Sequence, residues 1–264
     1  MITRLLAAAV GLAVLVPALL YGGTLAVEII VPLAALVGLG EYASMAFPAD
    51  RWVKGGVLGV LWVAVYVSAL YFPEHAWSIY GVATVAVLVL QTLRPGSTLD
   101  ITADRAGRLA LGAAWLGLLV FLPLLRREPG GLAWIFLVLA ISWLGDTGAY
   151  FAGRAFGKHK LYERISPKKT WEGVLGGVVA ATAGTFVVRA VGLLPLSNVE
   201  VLALGPVLCV AGVVGDLAES MMKRSFDVKD SGWILPGHGG LLDRIDSLLF
   251  VAPLLYAWVR WMET

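Results

Sequence analysis

Three observations predict an all-α, polytopic integral membrane fold. The 264 residues are 59% hydrophobic and only 14% charged. Mean hydropathy is +0.84. Apolar runs recur along the whole chain from Leu5 to Met262 instead of forming one greasy tail. Soluble domains are about half apolar and a quarter charged. A helix needs ~20 apolar residues to cross ~30 Å of hydrocarbon, so a chain of this length and composition crosses many times. No strand alternation interrupts the pattern.

Polar punctuation divides the chain into nine predicted spans: Leu5–Tyr21, Thr24–Met45, Gly55–Phe72, Trp77–Leu93, Leu109–Leu125, Gly131–Phe151, Glu172–Val191, Val199–Met222 and Ile245–Met262. Gly22-Gly23 separates the first two, and Pro73-Glu74-His75, Arg126 to Pro129 and Leu194 to Asn198 mark other turns. The first stretch follows Met1-Ile-Thr-Arg4 and resembles a signal peptide. A second apolar run follows almost at once without a small-residue cleavage site, so it reads as a retained span. Residues 1–108 form a region of about four spans. Residues 109–264 form a second region that carries two long polar loops, 152–171 and 223–243. Isolated glycines inside spans, such as Gly173 and Gly177, fit close helix packing.

Charge placement sets the orientation. Of the 20 Lys and Arg residues, all but Arg126, Arg127, Arg189 and Arg260 fall on one side of this arrangement. That side is cytoplasmic by the positive-inside rule. Both long loops lie on it. A formal net charge of +2 gives no basis for a nucleic-acid partner. The single cysteine, Cys209, excludes an intrachain disulfide and reads as a small buried apolar residue.

The polar residues concentrate late in the chain. Asp216, Glu219, Ser220 and Lys223 stand at helical offsets of 0, 3, 4 and 7, on one face. An acid as deep in a span as Asp216 needs a cavity, a cation or a partner. The plainer reading is a structural ion pair with a lysine or arginine. Lys223-Arg224, Lys229-Asp230 and Pro236-Gly-His238-Gly239-Gly240 follow, then Asp243-Arg244-Ile245-Asp246 at the start of the last span. Asp243 and Asp246 are three apart, so both carboxylates point the same way from one turn. Hard carboxylate oxygens suit Mg²⁺, which takes one or two of them with phosphates and waters. Glycines let backbone N–H groups approach an anion without Cβ interference, and a helix start adds positive potential. Neither the P-loop spacing nor the dinucleotide fingerprint is present. Each piece alone has a bland alternative: basic loops beside a membrane often only meet headgroups, and an Asp at a helix start is often only a cap. The earlier loop echoes this one. Asp146 closes span six, and Ser166-Pro-Lys168-Lys169-Thr170-Trp171-Glu172-Gly173 leads into span seven, where both lysines are placed to meet phosphates or headgroups.

The run from Ser220 to Asp246 resembles the signature of the phosphatidate cytidylyltransferase (CDP-diacylglycerol synthase) family, with no departure at any of its fixed positions. The 166–173 loop resembles the family's preceding loop. The N-terminal spans resemble it only in hydropathy and in details such as Glu41-Tyr42 ending span two. The resemblance implies a nucleotidyltransferase of phospholipid biosynthesis that converts CTP and phosphatidic acid to CDP-diacylglycerol and pyrophosphate. It implies dependence on Mg²⁺ held by Asp216, Asp243 and Asp246, and it raises a second cation, K⁺, close by. It also implies a homodimer among the lipids of the bacterial inner membrane, with the active site facing the cytoplasm. Lys223, Arg224, Lys229, Lys168 and Lys169 would then hold outer phosphate oxygens. Asp230 would position Lys229 or a water, and His238 would be a positioning donor. Asp146, Ser166, Ser220, Gly239, Gly240 and Arg244 would complete the substrate contacts. A sister enzyme acting on an ether-linked isoprenoid lipid shares all of this headgroup chemistry. A cation-coupled transporter, with Asp146 and Asp216 as ion sites, is the alternative from another class.

Overall fold

The computed structural model describes residues 2–92, 99–234 and 239–262, and from the outset it is a chain of helices. They are α1 (Ile2–Tyr21), α2 (Gly23–Ala46), α3 (Arg51–Tyr71), α4 (Ala76–Thr92), α5 (Leu99–Gly117), α6 (Phe121–Arg127), α7 (Gly131–Phe156), α8 (Trp171–Ala190), α9 (Asn198–Ser225), α10 (Leu242–Ile245) and α11 (Leu248–Met262). Among the described residues seven segments are long and apolar enough to cross a membrane: Gly23–Ala46, Arg51–Tyr71, Ile101–Arg127, Gly131–Phe156, Trp171–Ala190, Asn198–Ser225 and Leu242–Met262. The first and fourth predicted spans are helical too, but the apolar stretch of α1 is Val10–Tyr21 and α4 has 17 residues. The fifth predicted span starts earlier than its hydropathy suggests. Residues Leu99 to Arg108 are already helix, with no breaker to stop them and an Asp104–Arg108 pair at 2.8 Å one turn apart.

One predicted absence is corrected. Residues Lys160–Tyr162 (β1) and Ser166–Thr170 (β2) pair as an antiparallel hairpin in the basic loop, with Lys160 opposite Thr170 and Tyr162 opposite Ser166. Its strands are too short and too polar for alternation to reveal them. Pairing rests on backbone hydrogen bonds, and Pro167 is tolerated because a two-stranded ribbon has only edges.

The chain forms two compact units. The first comprises residues 1–18, 22–124 and 230–242; the second comprises 19–21, 125–229 and 243–264. Of the last polar loop, residues 230–242 therefore belong to the unit built by the N-terminal helices.

Aromatic side chains with one polar atom knit the first unit. Tyr42 Oη donates to the Arg108 carbonyl at 2.6 Å, Trp62 Nε1 to Leu116 at 2.9 Å, Tyr66 Oη to Glu28 at 2.7 Å and Tyr80 Oη to Ala114 at 2.6 Å. Each ring fills apolar volume while its polar tip meets a carbonyl that hydrocarbon cannot satisfy. Tyr42 is wholly buried and meets Trp115 edge-on at 6.3 Å. Arg108 adds a bond to the carbonyl of Ala46 at 3.0 Å, so the end of α2 is tied to α5 twice.

The second unit is built on backbone proximity. A Cβ at Gly148 would sit 2.6 Å from the Gly176 carbonyl oxygen, one at Gly177 would sit 2.8 Å from that of Gly145, and one at Gly173 would sit 3.0 Å from that of Ala149. The glycines of α7 and α8 thus let two helices touch backbone to backbone, the device by which membrane helices gain dispersion contact where lipid offers no hydrophobic drive. Helix α8 starts on Thr170, whose Oγ1 accepts from Gly173 N at 3.1 Å. Helix α9 starts on a full capping box. Ser197 accepts from Glu200 N at 3.2 Å, and Glu200 accepts from Ser197 N at 2.7 Å.

Candidate active site

Four local arrangements bring the polar residues of the second unit together. Helix α7 carries Asp146, and the glycine contact with α8 brings its C-terminal half against the hairpin exit. The hairpin delivers Lys169 immediately before α8. Helix α9 carries Asp216, Glu219, Ser220 and Lys223. Its Gly215 allows close approach of the next element, since a Cβ there would lie 2.6 Å from the Asp246 carbonyl oxygen. Through that contact the turn holding Asp243, Arg244 and Asp246 packs on the acidic face of α9.

The single face read from the offsets forms as expected. Ser220 Oγ donates to Asp216 at 3.3 Å, and Lys223 Nζ donates to Glu219 at 2.5 Å. Lys223 also bonds Asp243 across the turn. The three side chains of this bridge are 10%, 1% and 8% exposed, so it is a buried charge cluster and not a surface pair. Lys169 Nζ lies 2.6 Å from Asp216, which links the hairpin to α9. The ion pair that was the plainer reading of Asp216 is therefore present, and it joins the first basic loop to the acidic face of α9.

Asp246 is buried, and its Oδ1 accepts from Ser247 N at 2.7 Å. Asp146, Asp216, Glu219 and Asp246 lie close enough to interact electrostatically, with Lys169 and Arg244 near Asp146. Five carboxylates thus share three basic side chains. Glu219 Oε1 is buried and meets no donor among the described residues. No three His, Cys, Asp or Glu side chains among the described residues converge as a ready metal cage. Asp216, Asp243 and Asp246 are each engaged, by Lys169, Lys223 and the Ser247 amide. The donor set nonetheless suits a hard dication. Carboxylate charge is in excess, one buried oxygen is unmatched, and Mg²⁺ asks only one or two protein carboxylates when phosphates complete its shell.

The remaining predicted residues are placed as follows. Arg224 folds onto the Val228 carbonyl at 3.0 Å, within a turn where Asp227 adopts a left-handed φ of 55°. Lys168, Lys229 and Arg244 are exposed, and Ser166 is half-buried. Asp230 is exposed at the start of the loop that belongs to the first unit. Gly239, with φ +80°, and the buried Gly240 are in that loop, and His238 lies outside the described residues.

Two buried acids were undervalued by sequence. Glu219 was read only as one member of a face, although a Glu inside a span is itself a signal. Glu41 was read only as a detail of the second span. In the first unit its carboxylate is 6% exposed and receives the N–H groups of Leu241 at 3.0 Å and Leu242 at 2.9 Å, with Ser231 Oγ at 3.3 Å. The expectation that loop amides await an external anion is refined here: the anion at Leu241 and Leu242 belongs to the protein.

Known proteins resemble this chain over much of its length. Phosphatidate cytidylyltransferase of Bacillus subtilis is 41% identical over 206 residues, covering 76% of this chain and 77% of that protein. The Staphylococcus epidermidis protein of the same name is 36% identical over 257 residues, 96% of each chain. The Brucella suis one is 50% identical over 137 residues, 51% of this chain and 50% of its own length. The cytidylyltransferase family matches residues 2–262. That match sets aside the transporter alternative: with almost its whole length and its acidic face accounted for, the chain belongs to the cytidylyltransferase family of CTP-using nucleotidyltransferases.

Proposed function

We propose that this chain transfers the cytidylyl group of CTP to phosphatidic acid at the cytoplasmic side of a bacterial inner membrane, releasing pyrophosphate. The single observation that carries this reading is the meeting of Lys169, Asp216, Lys223, Asp243 and Asp246 at one end of a membrane helix bundle. Family membership and relatives of that name over 96% of the chain support it.

Both substrates are polyanions, so their mutual repulsion is the first obstacle. Lys168, Lys169, Arg224 and Lys229 draw the phosphates to the site and hold outer oxygens as point charges. An oxygen of the phosphatidate phosphate then attacks the α-phosphorus of CTP. A phosphorus–oxygen bond forms, the bond from that phosphorus to the bridging oxygen breaks, and pyrophosphate leaves with the electron pair. A phosphate oxygen is already a nucleophile, so no general base is needed. Positioning and charge stabilisation carry the catalysis. Mg²⁺ would be held by Asp216, Asp243 and Asp246, and when bound it neutralises charge on the reacting phosphates. Lys223 pairs with both Asp243 and Glu219 and holds them aligned. The lipid tails stay in the bilayer throughout, which accounts for a membrane protein doing this chemistry. Nine crossings, with α1 and α4 among them, put both basic loops on the cytoplasmic side, and the protein acts as a homodimer.

Purified protein incubated with labelled CTP, phosphatidic acid and Mg²⁺ is expected to yield a labelled lipid and pyrophosphate, and a chelator should stop the reaction. Asp246→Asn should keep the fold and lower turnover by about 100-fold or more, since a fixed charge at the reaction centre is lost. Turnover close to that of the unaltered protein in a folded Asp246→Asn variant would exclude Asp246 from the centre. An ether-linked isoprenoid phosphate offered in place of phosphatidic acid separates the two lipid classes.

A further inference from the structure

Glu41 sits near the end of α2, far in sequence from the loop it holds. Its carboxylate is buried, and among the described residues it accepts from Ser231 Oγ and from the backbone N–H groups of Leu241 and Leu242. The glycines of the loop are shaped around it. A Cβ at Gly240 would lie 2.5 Å from Glu41 Oε2 and 2.7 Å from Gly232 N, and a Cβ at Gly232 would collide with the same carboxylate. Glu41 itself is held firmly, because the adjacent Tyr42 is wholly buried and bonded to the Arg108 carbonyl, and Arg108 bonds the end of α2.

We propose that Glu41 is a positioning residue for cytidylyl transfer: its carboxylate holds the Ser231 hydroxyl and the Leu241 and Leu242 amides and so fixes the backbone immediately before Asp243. Leu242 is the covalent neighbour of Asp243. An amide anchored there sets the direction in which the chain enters the turn that carries both aspartates. The two N–H donors meet different oxygens of the carboxylate, Leu241 on Oε1 and Leu242 on Oε2. An amide side chain supplies one oxygen and one NH₂ group, and the NH₂ would face a second donor. A neutral isostere of the right size therefore fails by chemistry and not by volume. The clamp explains Gly232 and Gly240 as positions where the backbone closes over a carboxylate.

The inference rests on the cytidylyltransferase reading for its kinetic readout, so the two are separated in the test. Amide hydrogen exchange on the unaltered protein needs no activity: the Leu241 and Leu242 amides should be protected, and rapid exchange there overturns the clamp. In the CTP and phosphatidate assay, Glu41→Gln should lower kcat about 10- to 100-fold with little change in KM for CTP, as loss of an outer support does. Glu41→Asp, which keeps two oxygens on a shorter arm, should recover part of the loss. A folded Glu41→Gln variant with unchanged kcat and only a lowered melting temperature makes Glu41 merely structural and sinks the proposal. Should Glu41→Gln not fold, Ser231→Ala decides, with kcat expected to fall about threefold for one lost hydrogen bond. An unaltered kcat in Ser231→Ala then overturns the idea. If the unaltered protein makes no lipid product, the functional reading fails instead, while the exchange result still stands or falls alone.

Discussion

Lys223 shows how a residue's partners change its reading. As part of a basic cluster beside a membrane it reads as a phosphate ligand. In the structure its ammonium is committed to Glu219 and Asp243, with all three side chains nearly excluded from solvent. Removing the cation from such a cluster leaves two buried carboxylates uncompensated, which costs about 3–5 kcal/mol, whereas the intact cluster adds little over an apolar replacement. Lys223→Met should therefore lower stability by about that amount in detergent unfolding. Adding Glu219→Gln and Asp243→Asn to it should restore stability without restoring turnover. Lys169 is the contrast. Its pair with Asp216 is 24% and 32% exposed, so Lys169→Ala should cost no more than about 1 kcal/mol. A Lys169→Ala variant less stable than Lys223→Met would show that exposure does not rank these two pairs.

At the scale of elements, the contact between α7 and α8 is the frame on which Asp146 and Lys169 come close to α9. It depends on glycines facing carbonyl oxygens, and no rotamer can relieve a Cβ set 2.6 Å from a backbone atom. Gly148→Ala should force the helices apart and cost about 1–3 kcal/mol, the range for overpacking, seen as a lower melting temperature. Turnover should fall further than stability alone explains, because the same shift moves the hairpin from Asp216. Gly11→Ala, where an added Cβ meets nothing, should leave both unchanged. The glycine spacing was legible in the sequence as a sign of close packing, as Gly173 and Gly177 indicate. Their partners on α7 were not, since a small residue shows that something comes near without saying what. The hairpin was not legible either, because three residues against five leave no period to detect.

For the whole molecule, orientation is the consequential property. The basic loops 152–171 and 223–243 require the same side, and the turn after α8 requires the other. Cys209 is buried and is the only cysteine, so a Cys209→Ala background gives clean labelling. Glu163→Cys in the hairpin should react with an impermeant thiol reagent only when the cytoplasmic face is open, and Leu193→Cys only from the opposite face. Equal labelling of both from one side would break the parity on which the cytoplasmic placement stands.

The sequence by itself determined the helical membrane class and the face of α9 that presents Asp216, Glu219, Ser220 and Lys223. These follow from composition and from a 3.6-residue period, both local properties of the chain. Tertiary structure alone decided which partner each charge meets: Lys169 for Asp216, Lys223 for Asp243, and Glu41 for amides 200 and 201 residues away. Periodicity assigns a residue to a face, but only packing sets another element against that face. In an apolar setting a buried charge takes whichever partner the packing brings within reach.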